Sequence, residues 1–364
     1  MTPGLQKPIV VMAGGTGGHV FPALAVAENL RQRGENIVWL GTRSGIEARV
    51  VPAADFAIEW LNVQGLRGKG LMTFVLAPFR LLRACWQSLR LLRRIRPKAV
   101  LGMGGFVSGP GGLMAWLLDI PLFLHEQNSI IGLTNRILSR FATRNYAAFP
   151  NIASSVPRCE WIGNPVRANL AQLGDPEARL QSRIDEPMQL LVVGGSLGAA
   201  ALNRLLPQAI ACLDRDQRPR VRHQCGDQHL EVCQQNYREA GVDAEVVSFI
   251  DDMPQAYSWA DLVVCRAGAL TIAELTAVGL ASLLVPFPYA VDNHQYHNAR
   301  FLEQNGAAQI LPEAGLSAEN LALKLQFFQQ NRMALVEMAV NARAQFKPDA
   351  AERLASDLLA GAKS

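Results

Sequence analysis

Residues 14–19, GGTGGH, hold bare backbone and one titratable side chain together. Gly14, Gly15, Gly17 and Gly18 carry no Cβ, so phosphate oxygens can approach their amide N–H groups closely. Beside them stands His19. With an ordinary pKa of roughly 6.5 it suits a base near neutral pH, or a ring that merely hydrogen-bonds the turn. A second polar cluster, HEQN at 125–128, contains Glu126, which is either another base or the carboxylate that fixes a neighbouring helix start. A second glycine turn, GGSLG at 194–198, adds the hydroxyl of Ser196. CRAGALTIAE, 265–274, ends on Glu274. Read in the first turn of a helix, that carboxylate is explained by the helix dipole, or it takes the two hydroxyls of a ribose. PFPYAVDNHQYHN, 286–298, is dense in donors and acceptors. Its histidines, His294 and His297, lack a carboxylate at a fixed offset, which fits hydrogen bonding to a sugar better than a zinc site.

Positioning these groups takes strands and helices in alternation. An apolar run at 9–12 predicts a buried strand, the glycines a turn, and Pro22 the first turn of a helix over 22–30. Further strands are predicted at 36–40, 57–63, 99–103 and 121–124. The strand at 99–103 runs into another glycine-rich loop at 104–112 that includes Ser108, and a short helix is expected at 133–141. No carboxylate stands at the tip of the second strand, Gly41-Thr42-Arg43, where a dinucleotide fold binds the ribose, so an NAD-dependent dehydrogenase is disfavoured. WIGNPVR at 161–167 reads as a domain boundary. At residue 188 the pattern restarts: a strand at 189–193, the second glycine turn, and a helix at 199–213. Strands follow at 221–224, 245–249, 262–265 and 282–285, and the tail is helical, with Ser317 as a cap. Two such halves predict an α/β protein of two Rossmann-like, doubly wound parallel-sheet domains facing across a cleft. The expected domains are 1–165 and 166–346, with a final helix in 347–364 packing back on the first.

The chain of 364 residues is long enough for two cores, and at 49% apolar and 18% charged it is globular rather than disordered. A net charge of +4 is too small to argue for nucleic acid. Six scattered cysteines without a C-x-x-C pair fit reduced thiols in a cytoplasm. The opening apolar run is too short for a signal peptide, and no run reaches the ~18 apolar residues of a spanning helix.

Local charge is more telling. From Phe79 to Arg96 the spacing suits a helix with Leu81, Leu82, Cys85, Leu89, Leu92 and Ile95 on its core face. Arg80, Arg83, Arg90, Arg93 and Arg94 fall on the other, with Phe79 and Trp86 among them. Aromatics inside a cationic stripe suit the surface of an anionic bilayer, where each basic residue contributes about 1 kcal/mol. A solvated basic face or a dimer contact is the plainer reading. Leu71, Met72, Phe74, Val75 and Leu76 would enlarge the apolar patch.

Seven motifs in order, GGTGGH, MGGFVSGPGG, HEQN, GNPVR, GGSLGA, FIDDM and CRAGALTIAE, resemble the MurG family of bacterial cell-wall glycosyltransferases, over residues 9–298. The resemblance implies the two-domain glycosyltransferase B architecture. The implied reaction is inverting β-1,4 transfer of N-acetylglucosamine from UDP-N-acetylglucosamine to undecaprenyl-diphosphate-linked N-acetylmuramoyl pentapeptide, with release of UDP. It also implies a peripheral place on the cytoplasmic face of the bacterial inner membrane and no cofactor. Carried over residue by residue, the backbone of Ile250 reads the uracil with Arg167 nearby, and Glu274 takes the ribose hydroxyls. Ser196 and the backbone of Ala269, Leu270 and Thr271 hold the diphosphate, joined by Thr16, Gly17 and Gly18, and Ile272 and Ala273 also belong to the donor-binding set. Asn128 and Gln295 address the sugar, Gln295 from a loop, 286–295, about one residue longer than the family form. Phe79, Arg83, Trp86 and Arg90 are the expected membrane contacts. No DxD-type carboxylate pair stands where a diphosphate would need Mg²⁺, so helix N-termini are expected to stabilise the leaving group. One base must take the acceptor's hydroxyl proton: His19 first, Glu126 second. The alternatives on this architecture are a UDP-N-acetylglucosamine 2-epimerase, another lipid-directed glycosyltransferase such as a diacylglycerol galactosyltransferase, and a non-catalytic nucleotide-sugar sensor.

Overall fold

The computed structural model describes residues 7–62, 71–195 and 198–362, with backbone alone over 71–76. The chain divides into two compact units, residues 1–167 with 347–364, and residues 168–346.

In the first unit, β1 (Ile9–Met12), β2 (Ile37–Gly41), β3 (Ala57–Trp60), β4 (Ala99–Gly102), β5 (Leu122–Glu126), β6 (Arg144–Ala147) and β7 (Cys159–Trp161) form one sheet in the order 3-2-1-4-5-6-7. Every neighbouring pair is parallel. Because crossover helices cover both faces, the central strands are buried throughout and read as unbroken apolar runs. The order reverses between β1 and β4, and ligands of open α/β sheets bind at the strand ends beside such a reversal. The final helix, Ala350–Gly361, buries Leu354, Ala355 and Leu358 against this unit's core, and Tyr146 donates to its Asp357 Oδ2 at 2.7 Å.

In the second unit, β8 (Gln189–Val193), β9 (Arg220–Gln224), β10 (Glu245–Val247), β11 (Leu262–Cys265), β12 (Ala281–Leu284) and β13 (Ala308–Ile310) form a parallel sheet in the order 10-9-8-11-12-13. Its reversal lies between β8 and β11. Ser317 caps the helix Ala318–Gln330 by accepting from Asn320 N at 3.2 Å. The fold class is the one the motifs predict; β6 (RNYA) and β13 (AQI) go unannounced because polar residues interrupt them and neither is an unbroken apolar run.

Buried Asp261 ties the second unit together. It pairs with Arg183 at 2.8 Å and Arg332 at 2.6 Å, and accepts from Gln189 N at 2.9 Å. Each unit also buries one neutral histidine. Burial lowers His125 to about 4, with the charge of His19 adding to the effect, while His125 Nε2 contacts the Gly163 carbonyl at 2.9 Å. Burial lowers His223 to about 3, between Tyr237 and Asn203. Below roughly pH 6.5 the unfolded chain takes up protons that the folded chain refuses, so stability falls with pH until about 4 for His125 and about 3 for His223. At pH 5 each costs about 2 kcal/mol. Calorimetric transitions should therefore move down between pH 8 and pH 5; transitions that stay put would exclude neutral burial.

Several sequence expectations are corrected. The first helix is Gly17–Gln32, so Pro22 lies inside it, four residues after side-chain-free Gly18. The expected loop at 104–112 is short: a helix runs Ser108–Leu117, and Ser108 Oγ donates to Gly104 O at 2.8 Å instead of facing a ligand. The polar stretch 286–298 turns helical at His294–Gln304. The amphipathic helix runs Leu71–Ile95, starting eight residues earlier than the spacing suggests and passing through Pro78. Leu81 and Leu82, expected in the core, are 54% and 67% exposed, because the buried face is Ala84, Ser88 and Leu92. They join Phe79 and Trp86 on the surface, with Arg90 stacked over Trp86 at 4.6 Å. Leu71, Met72, Phe74, Val75 and Leu76 have side chains outside the described residues.

Candidate active site

The first unit gathers its polar groups at the carboxyl ends of β1, β4 and β5. Thr16 is the N-cap residue of the helix Gly17–Gln32, and Gly17, Gly18 and His19 are its first three positions. A helix leaves its first N–H groups without internal partners, so Gly17 and Gly18 present donors at a positive dipole end. His19 Nδ1 lies 3.0 Å from Gln127 Oε1, and Gln127 Nε2 donates to Met103 O at 2.6 Å. Gly104, at φ +96°, passes so close that a Cβ there would lie 2.6 Å from His19 Nδ1. The loop after β4 therefore requires glycine, both for its backbone and to admit the imidazole.

Glu126, the last residue of β5, is buried and fully engaged. It accepts from Asn128 N at 3.0 Å, Gly132 N at 3.2 Å and Asn135 Nδ2 at 2.9 Å. These bonds tie down the loop that leads into the helix Leu133–Leu138, which is the structural alternative for this carboxylate. Asn128 follows on the same loop, its Nδ2 3.5 Å from Glu126 Oε1. Arg167 ends the first unit, its guanidinium 5.8 Å from the Phe21 ring centroid.

Contrary to the reading of Gly41-Thr42-Arg43, a carboxylate does stand at the tip of β2: Glu47, five residues past Thr42, folds back onto it. It is fully buried and accepts from Gly15 N at 2.9 Å, Thr42 N at 2.9 Å and Thr42 Oγ1 at 2.7 Å. A Cβ on Gly14 would sit 2.6 Å from its Oε1, so that turn needs glycine to house the carboxylate.

The second unit repeats the plan. The turn after β8 is held by Gln224, which accepts from Gly195 N at 3.2 Å and donates to Gly195 O at 3.1 Å and Ser248 O at 2.9 Å. Ser196 lies outside the described residues. After β11, the helix Ala269–Val278 begins at the Gly268 cap, leaving the N–H groups of Ala269, Leu270 and Thr271 without helical partners. Ile272 donates to Gly268 O at 3.0 Å and is buried with Ala273, so these two support the turn rather than offer donors. Glu274 is the sixth residue of that helix, in its second turn, so the dipole does not account for it. It is buried, with Tyr257 donating to its Oε2 at 3.0 Å, a partner supplied by the helix Met253–Trp259. Ile250 lies in the loop between β10 and that helix, whose start Asp252 caps by accepting from Gln255 N at 3.0 Å. Gln295 Oε1 accepts from Phe287 N at 2.9 Å, bracing a loop in which Asp292 and Asn293 both adopt left-handed backbone.

Known proteins match this arrangement along its length. Residues 9–147 match the glycosyltransferase family 28 N-terminal domain, and residues 189–354 the glycosyltransferase family 28 C-terminal domain. A UDP-N-acetylglucosamine--N-acetylmuramyl-(pentapeptide) pyrophosphoryl-undecaprenol N-acetylglucosamine transferase of Ralstonia nicotianae is 52% identical, covering 99% of this chain and 98% of its own. The protein of the same name from Aromatoleum aromaticum is 54% identical, over 98% and 99%. The crystal structure of Acinetobacter baumannii MurG superposes with a TM-score of 0.83 at 40% identity, covering 98% of this chain and all of that one. A UDP-GlcNAc 2-epimerase from Neisseria meningitidis reaches a TM-score of 0.67 at 13% identity, covering 98% of this chain and all of that one, which shows a shared fold alone. With relatives more than half identical from end to end, the chain belongs to the UDP-N-acetylglucosamine--N-acetylmuramyl-(pentapeptide) pyrophosphoryl-undecaprenol N-acetylglucosamine transferases, the MurG family within glycosyltransferase family 28.

Proposed function

We propose that this protein is the hexosyltransferase that moves N-acetylglucosamine from UDP-N-acetylglucosamine to the 4-hydroxyl of undecaprenyl-diphosphate-linked N-acetylmuramoyl pentapeptide in peptidoglycan synthesis. The observation that carries it is the near full-length identity to proteins of that name. Low identity to the epimerase makes that alternative the weaker one. The acceptor oxygen bonds to the anomeric carbon as the carbon–oxygen bond to UDP breaks, with inversion. The hydroxyl proton passes to His19, and the electron pair leaves with the diphosphate. The first unit takes the acceptor. The second takes the donor, with Ile250 at the uracil, and Ser196 with the N–H groups of Ala269, Leu270 and Thr271 at the diphosphate. In the second unit Gln295 addresses the sugar; in the first, Thr16, Gly17 and Gly18 offer N–H donors and Asn128 a side-chain amide. Glu126, with both oxygens already accepting, braces the acceptor loop instead of moving a proton. UDP release from UDP-N-acetylglucosamine should require the lipid-linked muramoyl acceptor; release at the same rate without it would defeat this reading.

Glu274 binds the ribose hydroxyls, held in place by Tyr257. Hydrogen bonds to a charged group contribute about 1.5–3 kcal/mol each. Glu274→Gln should therefore raise KM for UDP-N-acetylglucosamine at least about tenfold and change kcat less. Unchanged KM would remove Glu274 from the donor site.

The protein works at the cytoplasmic face of the inner membrane, bound peripherally. Among the described residues no helix is long and apolar enough to cross a membrane. Support comes from Phe79, Leu81, Leu82 and Trp86, all exposed on the helix that carries Arg83 and Arg90. Trp86→Glu should weaken flotation with anionic phospholipid vesicles about tenfold or more. Flotation indifferent to both Trp86→Glu and salt would exclude this surface.

A further inference from the structure

His19 has two ring nitrogens, and only the one without a proton can act as a base. Its Nδ1 lies 3.0 Å from Gln127 Oε1, while Gln127 Nε2 lies 2.6 Å from the carbonyl oxygen of Met103. A carbonyl oxygen only accepts, so the Gln127 amide must turn its NH₂ toward Met103. Reversing the amide would set two oxygens against each other at that distance. The amide oxygen is thereby left facing His19, and it too only accepts. The ring proton of neutral His19 must then sit on Nδ1.

We propose that Gln127 is a positioning residue that holds neutral His19 as the Nδ1–H tautomer, leaving the Nε2 lone pair to take the acceptor's proton. The inference rests on the reading of His19 as the base. Unassisted imidazole favours the opposite tautomer, so the amide corrects an intrinsic preference. The surroundings leave it no freedom to do otherwise. Gln127 is 1% exposed and follows β5 directly, and Met103 follows β4 directly. Two sheet strands thus fix the two ends of the relay. Gly104 closes over the imidazole from the side. Partners of this kind commonly set which histidine nitrogen is free. In a serine protease, imposing the wrong tautomer costs about 10⁴ in kcat. Removing the amide without imposing the wrong tautomer should cost less.

The test uses the full-length protein labelled with ¹⁵N-histidine, at pH 8, with His19 identified by the signal lost in His19→Gln. Long-range ¹H–¹⁵N spectra distinguish the two tautomers directly. The wild type should show Nδ1–H. Gln127→Met, which keeps the bulk and loses both hydrogen bonds, should shift His19 to Nε2–H. It should lower kcat about tenfold or more while KM for UDP-N-acetylglucosamine stays within about twofold. Gln127→Glu, which turns an oxygen toward Nδ1 in either protonation state, should keep Nδ1–H and turn over faster than Gln127→Met. An Nε2–H signal in the wild type overturns the proposal. So does a fall in kcat for Gln127→Met with the tautomer unchanged, which would mark a merely structural role. A tautomer that switches while kcat holds would sustain the positioning of His19 and remove the ring from proton transfer.

Discussion

His19→Ala should lower kcat for sugar transfer by about 10²–10⁴-fold while leaving KM for UDP-N-acetylglucosamine nearly unchanged. The imidazole stands at the third position of a helix whose first amide groups face the same region, and its Nδ1 is engaged by Gln127. A base acts only as the acceptor's proton leaves, so its loss is felt in the transition state and not in donor binding. Glu126→Gln should behave differently. It disturbs the loop from Asn128 to Gly132 and the helix after it, so its signature is a lower melting temperature and a higher acceptor KM. Steady-state transfer to a lipid-linked acceptor separates the two. Full turnover by His19→Ala would assign proton transfer elsewhere.

Asp261→Ala should destabilise the second unit by about 3–5 kcal/mol. The carboxylate is buried between Arg183 and Arg332, whose side chains are themselves only 17% and 10% exposed. Removing it leaves two guanidinium groups facing each other without a counter-charge, and strips Gln189 N of its acceptor. Against a typical stability of about 5–15 kcal/mol this is a large fraction, equivalent to a fall of about 10 °C or more in that unit's melting temperature. Asp261→Asn, which keeps an acceptor oxygen, should cost less. A calorimetric transition unmoved by Asp261→Ala would mean that the arginines find solvent at little cost.

What the sequence made legible was local. Strand, glycine turn and helix lie within twenty residues of one another, so both turns and the restart at residue 188 could be read from order alone. What it hid was every partner from far along the chain. Glu47 reaches Gly15 across 32 residues, Gln127 reaches His19 across 108, and Gln224 reaches Gly195 across 29. Tyr257 and Glu274 belong to different helices. Helical periodicity assigned Leu81 and Leu82 to a core because it reports which residues share a face, not how far the packing partner extends. Glu274 was placed one turn too early because the Gly268 cap that starts its helix carries no side-chain signature.

The position of Glu47 bears on what the first sheet can hold. In dinucleotide-binding sheets of this strand order, the pyrophosphate rests on the first glycine turn and the ribose on an acidic residue past the second strand. Here one internal carboxylate spans both places, engaging Gly15 and Thr42 together. Being part of the chain, it acts at a high effective concentration with which a dissolved anion has to compete. A phosphate seeking the amide of Gly15 would have to displace this carboxylate, which leaves Thr16, Gly17 and Gly18 as the donors of this turn. In the second unit the amide of Gln224 takes the corresponding place at Gly195, so one turn is filled by a charged side chain and the other by a neutral one.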